Sequence, residues 1–297
     1  MPIIVAAISI EYLLRQIPNE YAYKRHYLDK NSNKIETLIL GSSHSFFGIN
    51  PAFMMENTFN SSNVSQSLKY DFKILTKYQN NFKNLTTIVL PIDYFSPWQD
   101  LAAGSENWRV KNYVLYYGMK SFKLNDYSEF LSIDLQKNLT RIKDHYITGG
   151  AISYSDLGWG TAYNSSKSLD LIKTGQTAAQ RHTNDIFSKE NQETYTKNLA
   201  ILNSILNFCN QHNIKLILIT SPTYNTYREN LSKIQLNKMF ETIYNFVDEH
   251  KDVTYLNYFA DTDFTEQDFY DADHLNEIGA EKFSRKLAHS IDSLNKL

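Results

Sequence analysis

Gly41-Ser42-Ser43-His44 follows the apolar run Thr37-Leu38-Ile39-Leu40, and Asp271-Ala272-Asp273-His274 precedes the last amphipathic segment of the sequence. A serine hydroxyl is a weak nucleophile until a base takes its proton, and a histidine becomes that base when a carboxylate fixes its tautomer. Asp271 stands three residues before His274. On a turn its carboxylate can hold Nδ1–H and leave Nε2 free to face Ser43. Gly41 permits a sharp turn that presents the hydroxyl, and a helix beginning there leaves backbone N–H groups free for an oxyanion. Each motif alone also reads as punctuation: small turn residues after a strand, or a polar helix-entry loop with an incidental histidine. Asp271, Asp273 and His274 are ligand types as well, though no second ligand cluster accompanies them and no metal is assigned.

Four short apolar runs are predicted as buried parallel strands: Thr37–Leu40, Thr87–Leu90, Lys215–Ile219 and Val253–Leu256. Helical spacing links Leu68, Phe72 and Leu75, then Leu199 to Cys209, then Leu236 to Val247, and finally Phe283, Leu287, Ile291 and Leu294. The alternation predicts a three-layer, doubly wound α/β domain with a mainly parallel sheet. In such a sheet, ligands bind beyond the carboxyl ends of the strands, where Ser43 would lie. Asn276 is the expected N-cap of the last helix and would fix the Asp271–His274 turn. Residues 34–297 are read as one domain with an insertion at about 97–190, rich in Tyr, Ser, Asn and Gly, expected as a lid or binding loop. Residues 1–33 are an apolar segment and lead-in.

The 297 residues carry a net charge of −2 and no run of one sign, which argues against a nucleic-acid partner or a polybasic tether. The single cysteine, Cys209, excludes an internal disulfide and lies on a helical apolar stripe, as a buried hydrophobe would. Pro2–Leu14 is apolar but short of the ~20 residues that cross a bilayer. It reads either as a short helix packed on the domain or as the tail of a membrane anchor. Membrane association through this segment is therefore an expectation.

The pairing of Gly41-Ser42-Ser43 after the first strand with Asp271-x-x-His274 before the last helix resembles the SGNH (GDSL-like) hydrolase superfamily. The resemblance covers roughly residues 34–95 and 191–294. It implies a flavodoxin-like sheet, Ser43 as nucleophile, Asp271 and His274 as acid and base, and no cofactor. The Ser-Ser-His-Ser version is most similar to envelope-associated acyl esterases and O-acyltransferases. That implies an acylated small molecule or polysaccharide as substrate, and a cell-envelope, extracytoplasmic location; the alternative is cytoplasmic.

The sequence departs from the family's pattern at two places. Asn63-Val64-Ser65-Gln66-Ser67 has no glycine where the family supplies an oxyanion donor, so a main-chain N–H of Ser65 or Gln66 is expected there beside that of Ser43. Pro91-Ile92-Asp93 places Ile92 where an asparagine is usual, with Gln66 as a substitute amide and Asp93 as a cap of the strand-to-loop turn. His44, Asp93 and Trp159 are candidate substrate contacts; the glycines flanking Trp159 suggest an exposed, mobile loop. Trp98 and Trp108 read as sugar-stacking faces or as local core, and Arg109 and Arg181 as anion binders or solvated surface. Two other functions compete: a glycan-binding or assembly protein on an impaired scaffold, and a nucleotide-binding domain. The latter lacks any Gly-rich phosphate loop.

Overall fold

The computed structural model describes residues 2–296. In chain order these form α1 (Pro2–Gln16), α2 (Glu20–Asn31), β1 (Thr37–Ile39), α3 (Ser43–Gly48), β2 (Thr58–Asn60), α4 (Leu68–Tyr78) and β3 (Thr87–Pro91). Then come α5 (Val110–Leu115), α6 (Glu129–Ser132), α7 (Leu135–Tyr146), α8 (Leu171–His182) and α9 (Lys189–His212). The remainder is β4 (Lys215–Thr220), α10 (Asn225–Glu229), α11 (Lys233–Glu249), β5 (Val253–Asn257), β6 (Phe269–Asp271), β7 (His274–Leu275) and α12 (Glu277–Asn295).

Residues 31–100 and 154–297 make one compact unit around a five-stranded sheet of order β2-β1-β3-β4-β5. Every pairing in it is parallel. β3 is buried along its whole length and β4 at every residue after Lys215, which is why both lack a polar alternation. Helices lie on both sides, so the architecture is the doubly wound α/β fold expected from the strand–helix alternation. Its core joins Ile39, Val89, Ile217 and Ile219 of the sheet to Phe283, Leu287 and Ile291 of α12. The fifth strand, β2, has only three residues, Thr58-Phe59-Asn60, and no apolar run to announce it. Because β1 is flanked by β2 on one side and β3 on the other, the chain leaves β1 and β3 in opposite directions. The crevice between their carboxyl ends is the topological switch point at which such sheets bind ligands.

Residues 1–30 and 101–153 make a second, helical compact unit. Its interior holds Tyr21 edge-on to Tyr113 at 5.3 Å. Buried Glu129 accepts from Lys111, from Tyr116 Oη at 2.8 Å and from Arg141 at 2.9 Å. The stretch 97–190 is thus divided. Residues 101–153 pair with the N-terminal helices, whereas 154–190 belong to the sheet unit, where α8 packs on α10.

Candidate functional site

The sheet places Ser43 through a steric requirement at Gly41. Gly41 sits at φ +107°, and a Cβ there would fall 2.1 Å from Pro91 Cγ at the end of β3. No L side chain fits, so the backbone of β1 turns hard against β3 and enters α3 directly. The Gly41 N–H donates to buried Asp71 Oδ1 at 2.9 Å, which anchors the turn. Burial raises the Asp71 pKa to about 7, against the opposing pull of hydrogen bonds from Gln66 and Gly41. Ser43 is the first residue of α3, so its own N–H has no partner within the helix. Within residues 41–50 only Ser43 escapes full burial.

The partner groups come from a two-stranded hairpin, β6–β7. Asp271 Oδ1 accepts from the N–H groups of Asp273 at 3.1 Å and His274 at 2.9 Å, so the carboxylate itself closes the turn. The same oxygen lies 2.9 Å from His274 Nδ1. On the opposite edge of the ring, Nε2 lies 2.8 Å from Ser43 Oγ. Asn276 follows as the N-cap of α12, its Oδ1 accepting from Ile278 and Gly279 at 3.0 Å each. With Nδ1–H held by Asp271, neutral His274 can accept the Ser43 hydroxyl proton at Nε2. That is the geometry of a base-activated nucleophile.

A second, buried layer of charge lies behind the histidine. Asp273 Oδ1 is 3.5 Å from His274 Nδ1, a charge contact. Its Oδ2 faces His44 Nε2 at 3.4 Å, Arg181 at 3.3 Å and His182 Nδ1 at 3.7 Å. On its other edge, His44 Nδ1 lies 2.9 Å from Asp93 Oδ2. Burial works against a charged His274, but Asp271 and then Asp273 overcome it and raise its pKa well above the usual 6.5. For His44, too, burial is outweighed by Asp93 and Asp273, and its pKa is raised. The Asp273 carboxyl is held well below 3.8, since His274 and His44 outweigh its burial. His182 is pushed down to about 3 by burial and stays neutral, with Nδ1 2.9 Å from Tyr227 Oη. The centre alternates carboxylates with the rings of His44 and His274, both of which the neighbouring carboxylates bias toward the charged form.

His44, Asp273 and His274 offer ligand atoms within 4.8 Å of one another. Those atoms are already engaged with Asp93, Arg181, Asp271 and Ser43. A cation here would have to displace the contacts just described.

Several expected contacts fall elsewhere. The Gln66 N–H donates to Asn63 O at 3.1 Å, and its side-chain amide donates to Asp71 at 2.6 Å and Ser61 at 3.3 Å. It therefore has no donor left for an oxyanion. Ser65 adopts φ +60°, the left-handed backbone that a glycine would take. Its loop is tied to the nucleophile turn by Asn63 N–H donating to Gly41 O at 3.2 Å. Ile92 is buried at the end of β3 and offers no polar group. Asp93 and His44 are buried as well and face each other rather than a ligand, while Asp93 Oδ1 also accepts from Ser221 N–H at 2.9 Å.

Trp159 is pinned, not mobile: its indole N–H donates to Phe47 O at 2.6 Å, and Gly160 N–H donates to Phe46 O at 2.8 Å. A Cβ on Gly158 (φ +84°) would lie 2.2 Å from Asn60 O, so these glycines allow close packing on β2 and α3. Trp98 is buried against Tyr195, and Trp108 lies under the Arg109 guanidinium at 4.3 Å. Cys209 is buried, which pushes its thiol up to about 12 and keeps it unreactive.

Asp273 as a charge partner, His182 and Tyr227 escaped the sequence reading, and so did a ring stack at the site. Tyr163 stacks between Phe47 at 3.7 Å and Tyr270 at 4.0 Å, and meets the His274 ring edge-on at 5.3 Å. No pattern announces residues from four separate segments; only the Asp271-x-Asp273-His274 spacing signalled Asp273.

No family model matches the chain, and no curated protein matches it. Among solved structures, a protein of Bacteroides fragilis assigned as an acylhydrolase aligns over 93% of this chain and 99% of its own, at 9% identity and a TM-score of 0.44. A GDSL-like lipase of Bacteroides thetaiotaomicron aligns over 92% and 99%, at 11% identity and a TM-score of 0.42. At these values the similarity carries no residue-by-residue correspondence.

Proposed function

We propose that the chain is an acyl hydrolase or O-acyltransferase of the SGNH type, with Ser43 as nucleophile, His274 as base and Asp271 as orienting acid. The observation that carries this reading is the continuous contact from Asp271 through both nitrogens of His274 to Ser43 Oγ, at 2.9 and 2.8 Å. His274 takes the hydroxyl proton as Ser43 Oγ attacks an acyl carbonyl. The N–H groups of Ser43 and Ser65 are the donors for the tetrahedral oxyanion. His274 then returns the proton to the leaving alcohol, and water or a sugar hydroxyl releases the acyl group. The pinned Trp159 is not needed in this scheme. A carbohydrate-bearing ester as substrate rests on the sequence resemblance, because Phe47 and Tyr270 already cover both faces of Tyr163. A cell-envelope location rests on the sequence resemblance alone.

A second reading is a glycan-binding or assembly protein with attenuated turnover. It is favoured by buried Ile92 and by committed Gln66, which leave the oxyanion with main-chain donors only. Loss of one such donor typically slows acyl transfer by ~10²–10³. Incubation with a fluorophosphonate and with p-nitrophenyl acetate separates the two. The enzyme reading requires labelling and turnover that Ser43→Ala abolishes; a wild-type protein inert to both leaves only the binding reading.

A further inference from the structure

The exposed apolar surface of this protein is concentrated in the helical unit. Of the nineteen large hydrophobic side chains exposed among the described residues, thirteen belong to residues 1–30 and 101–153, the smaller share of the chain. They are ordered. On α1, Ile4, Ile8 and Tyr12 recur at helical spacing along one exposed face. Leu131, Leu135 and Leu139 continue a second stripe across α6 and α7. The two stripes are carried by helices in contact: Glu11 accepts from Ser128 Oγ and Phe130 N–H at 2.8 Å each, and Tyr146 Oη donates to Leu13 O at 3.0 Å. Burying such faces is favourable, and a monomer in water seldom leaves so many uncovered.

A loop of the same unit adds positive charge to this apolar surface. Lys120-Ser121-Phe122-Lys123-Leu124 holds the most exposed hydrophobe among the described residues, Phe122, with Leu124 at 84% exposure beside it. The loop is built rather than slack. Ser121 N–H donates to Tyr127 Oη at 3.1 Å, Tyr127 Oη donates to Ser121 O at 3.0 Å, and Lys123 N–H donates to Ser121 Oγ at 3.2 Å. These bonds fix the base of the loop and leave Phe122 and Leu124 projecting, flanked by two exposed lysines. The unit carries eleven Lys and Arg against eight Asp and Glu, a net +3 in a chain whose total is −2. Apolar side chains framed by cations match a bilayer interface with anionic headgroups, where apolar burial and charge attraction add. No described helix is long and apolar enough to cross a membrane.

We propose that the helical unit is a peripheral membrane-binding surface for anionic lipid, with Phe122 and Leu124 as inserting side chains and Lys120 and Lys123 as headgroup contacts. The proposal is independent of the chemistry at Ser43. The test is co-sedimentation of the whole chain with phosphatidylcholine vesicles, with and without phosphatidylglycerol. The expected result is binding that requires phosphatidylglycerol and weakens with salt. Phe122→Ser with Leu124→Ser weakens it at least tenfold. Lys120→Gln with Lys123→Gln removes most of the salt sensitivity. Both pairs leave circular dichroism and turnover of any soluble ester unchanged. Failure of the wild type to sediment with either vesicle overturns the proposal, as does equal binding by the Phe122/Leu124 variant. A dimer in sedimentation equilibrium that the same substitutions dissociate also overturns it, because the face then belongs to a second copy of the chain.

Discussion

On the proposed mechanism, replacing Asp273 by Asn should speed ester turnover on the acid limb of its pH profile, although it removes a buried charge beside the base. His274 must be neutral to accept the Ser43 proton, so kcat/KM climbs with pH until the His274 pKa is passed. That pKa stands well above 6.5: burial opposes the charged ring, but Asp271 and then Asp273 more than offset it. The shift favours the imidazolium, the form that cannot accept the proton. Asp273 Oδ1 is 3.5 Å from Nδ1, and unit charges at that distance interact by about 5 kcal/mol at an effective dielectric of ~20. This is a ceiling, because His44 and Arg181 share the carboxylate; the usual effect of one neighbouring charge is about 1–3 pKa units. Loss of the carboxylate also leaves His44 and Arg181 uncompensated, which pushes the His274 pKa in the same downward direction. Asp273→Asn should move the acid limb of kcat/KM down by about 1–3 units. On the acid limb itself, kcat/KM should rise by roughly tenfold for each unit of that move, at about 1.36 kcal/mol per unit. The assay is p-nitrophenyl acetate hydrolysis from pH 5 to 10, with circular dichroism to establish folding. A limb that stays put or moves up in a folded variant refutes the electrostatic account. A uniform loss at every pH assigns Asp273 to orientation instead.

Asp271→Asn should fold, because its Oδ1 can still accept from the Asp273 and His274 N–H groups, yet its amide would impose the wrong tautomer on His274; kcat should fall by about 10⁴ with KM little changed. Gly158→Ala forces a Cβ to within 2.2 Å of Asn60 O at φ +84°, and thermal unfolding should register a loss of at least 1–3 kcal/mol. For Asp71, whose folded pKa of about 7 exceeds the usual 3.8, the folded state binds the extra proton, so its contribution to stability declines as pH rises between those values. Asp71→Asn should flatten that part of the stability–pH curve, measured as urea midpoints at pH 4, 6 and 8; an unchanged slope contradicts the assignment.

The parts legible in the sequence were those encoded locally. β1, β3 and β4 announced themselves as apolar runs because strands inside a parallel sheet are covered on both faces, whereas edge strand β5, buried only at Val253, was visible through Val253, Tyr255 and Leu256. The Asp271–His274 turn is closed by a hydrogen bond spanning three residues, so its spacing alone displayed it. What distance in sequence concealed was the layer behind the base. Asp93 reaches His44 from the end of β3, and His182 arrives from the end of α8, where neither residue carries a local signature. The glycines around Trp159 misled for a physical reason. Absence of a side chain serves close packing as well as mobility, and here Phe46, Phe47 and Asn60 occupy the space. Gln66 misled because an amide in a loop looks available until its acceptors, Asp71 and Ser61, are known.

The single hydrogen bond between Ser43 and His274 joins residues 231 positions apart. A ribosome therefore delivers the hydroxyl long before its partner ring. Throughout elongation the serine is an ordinary alcohol, incapable of attacking esters in its surroundings. The ring is held between the β6–β7 hairpin and α12, which is capped by Asn276 and seats Phe283, Leu287 and Ile291 in the core. On the proposed mechanism, reactivity and completion of the fold thus arrive together. A chain cut short before residue 271, or one whose last helix has come undone, is silent rather than indiscriminately reactive.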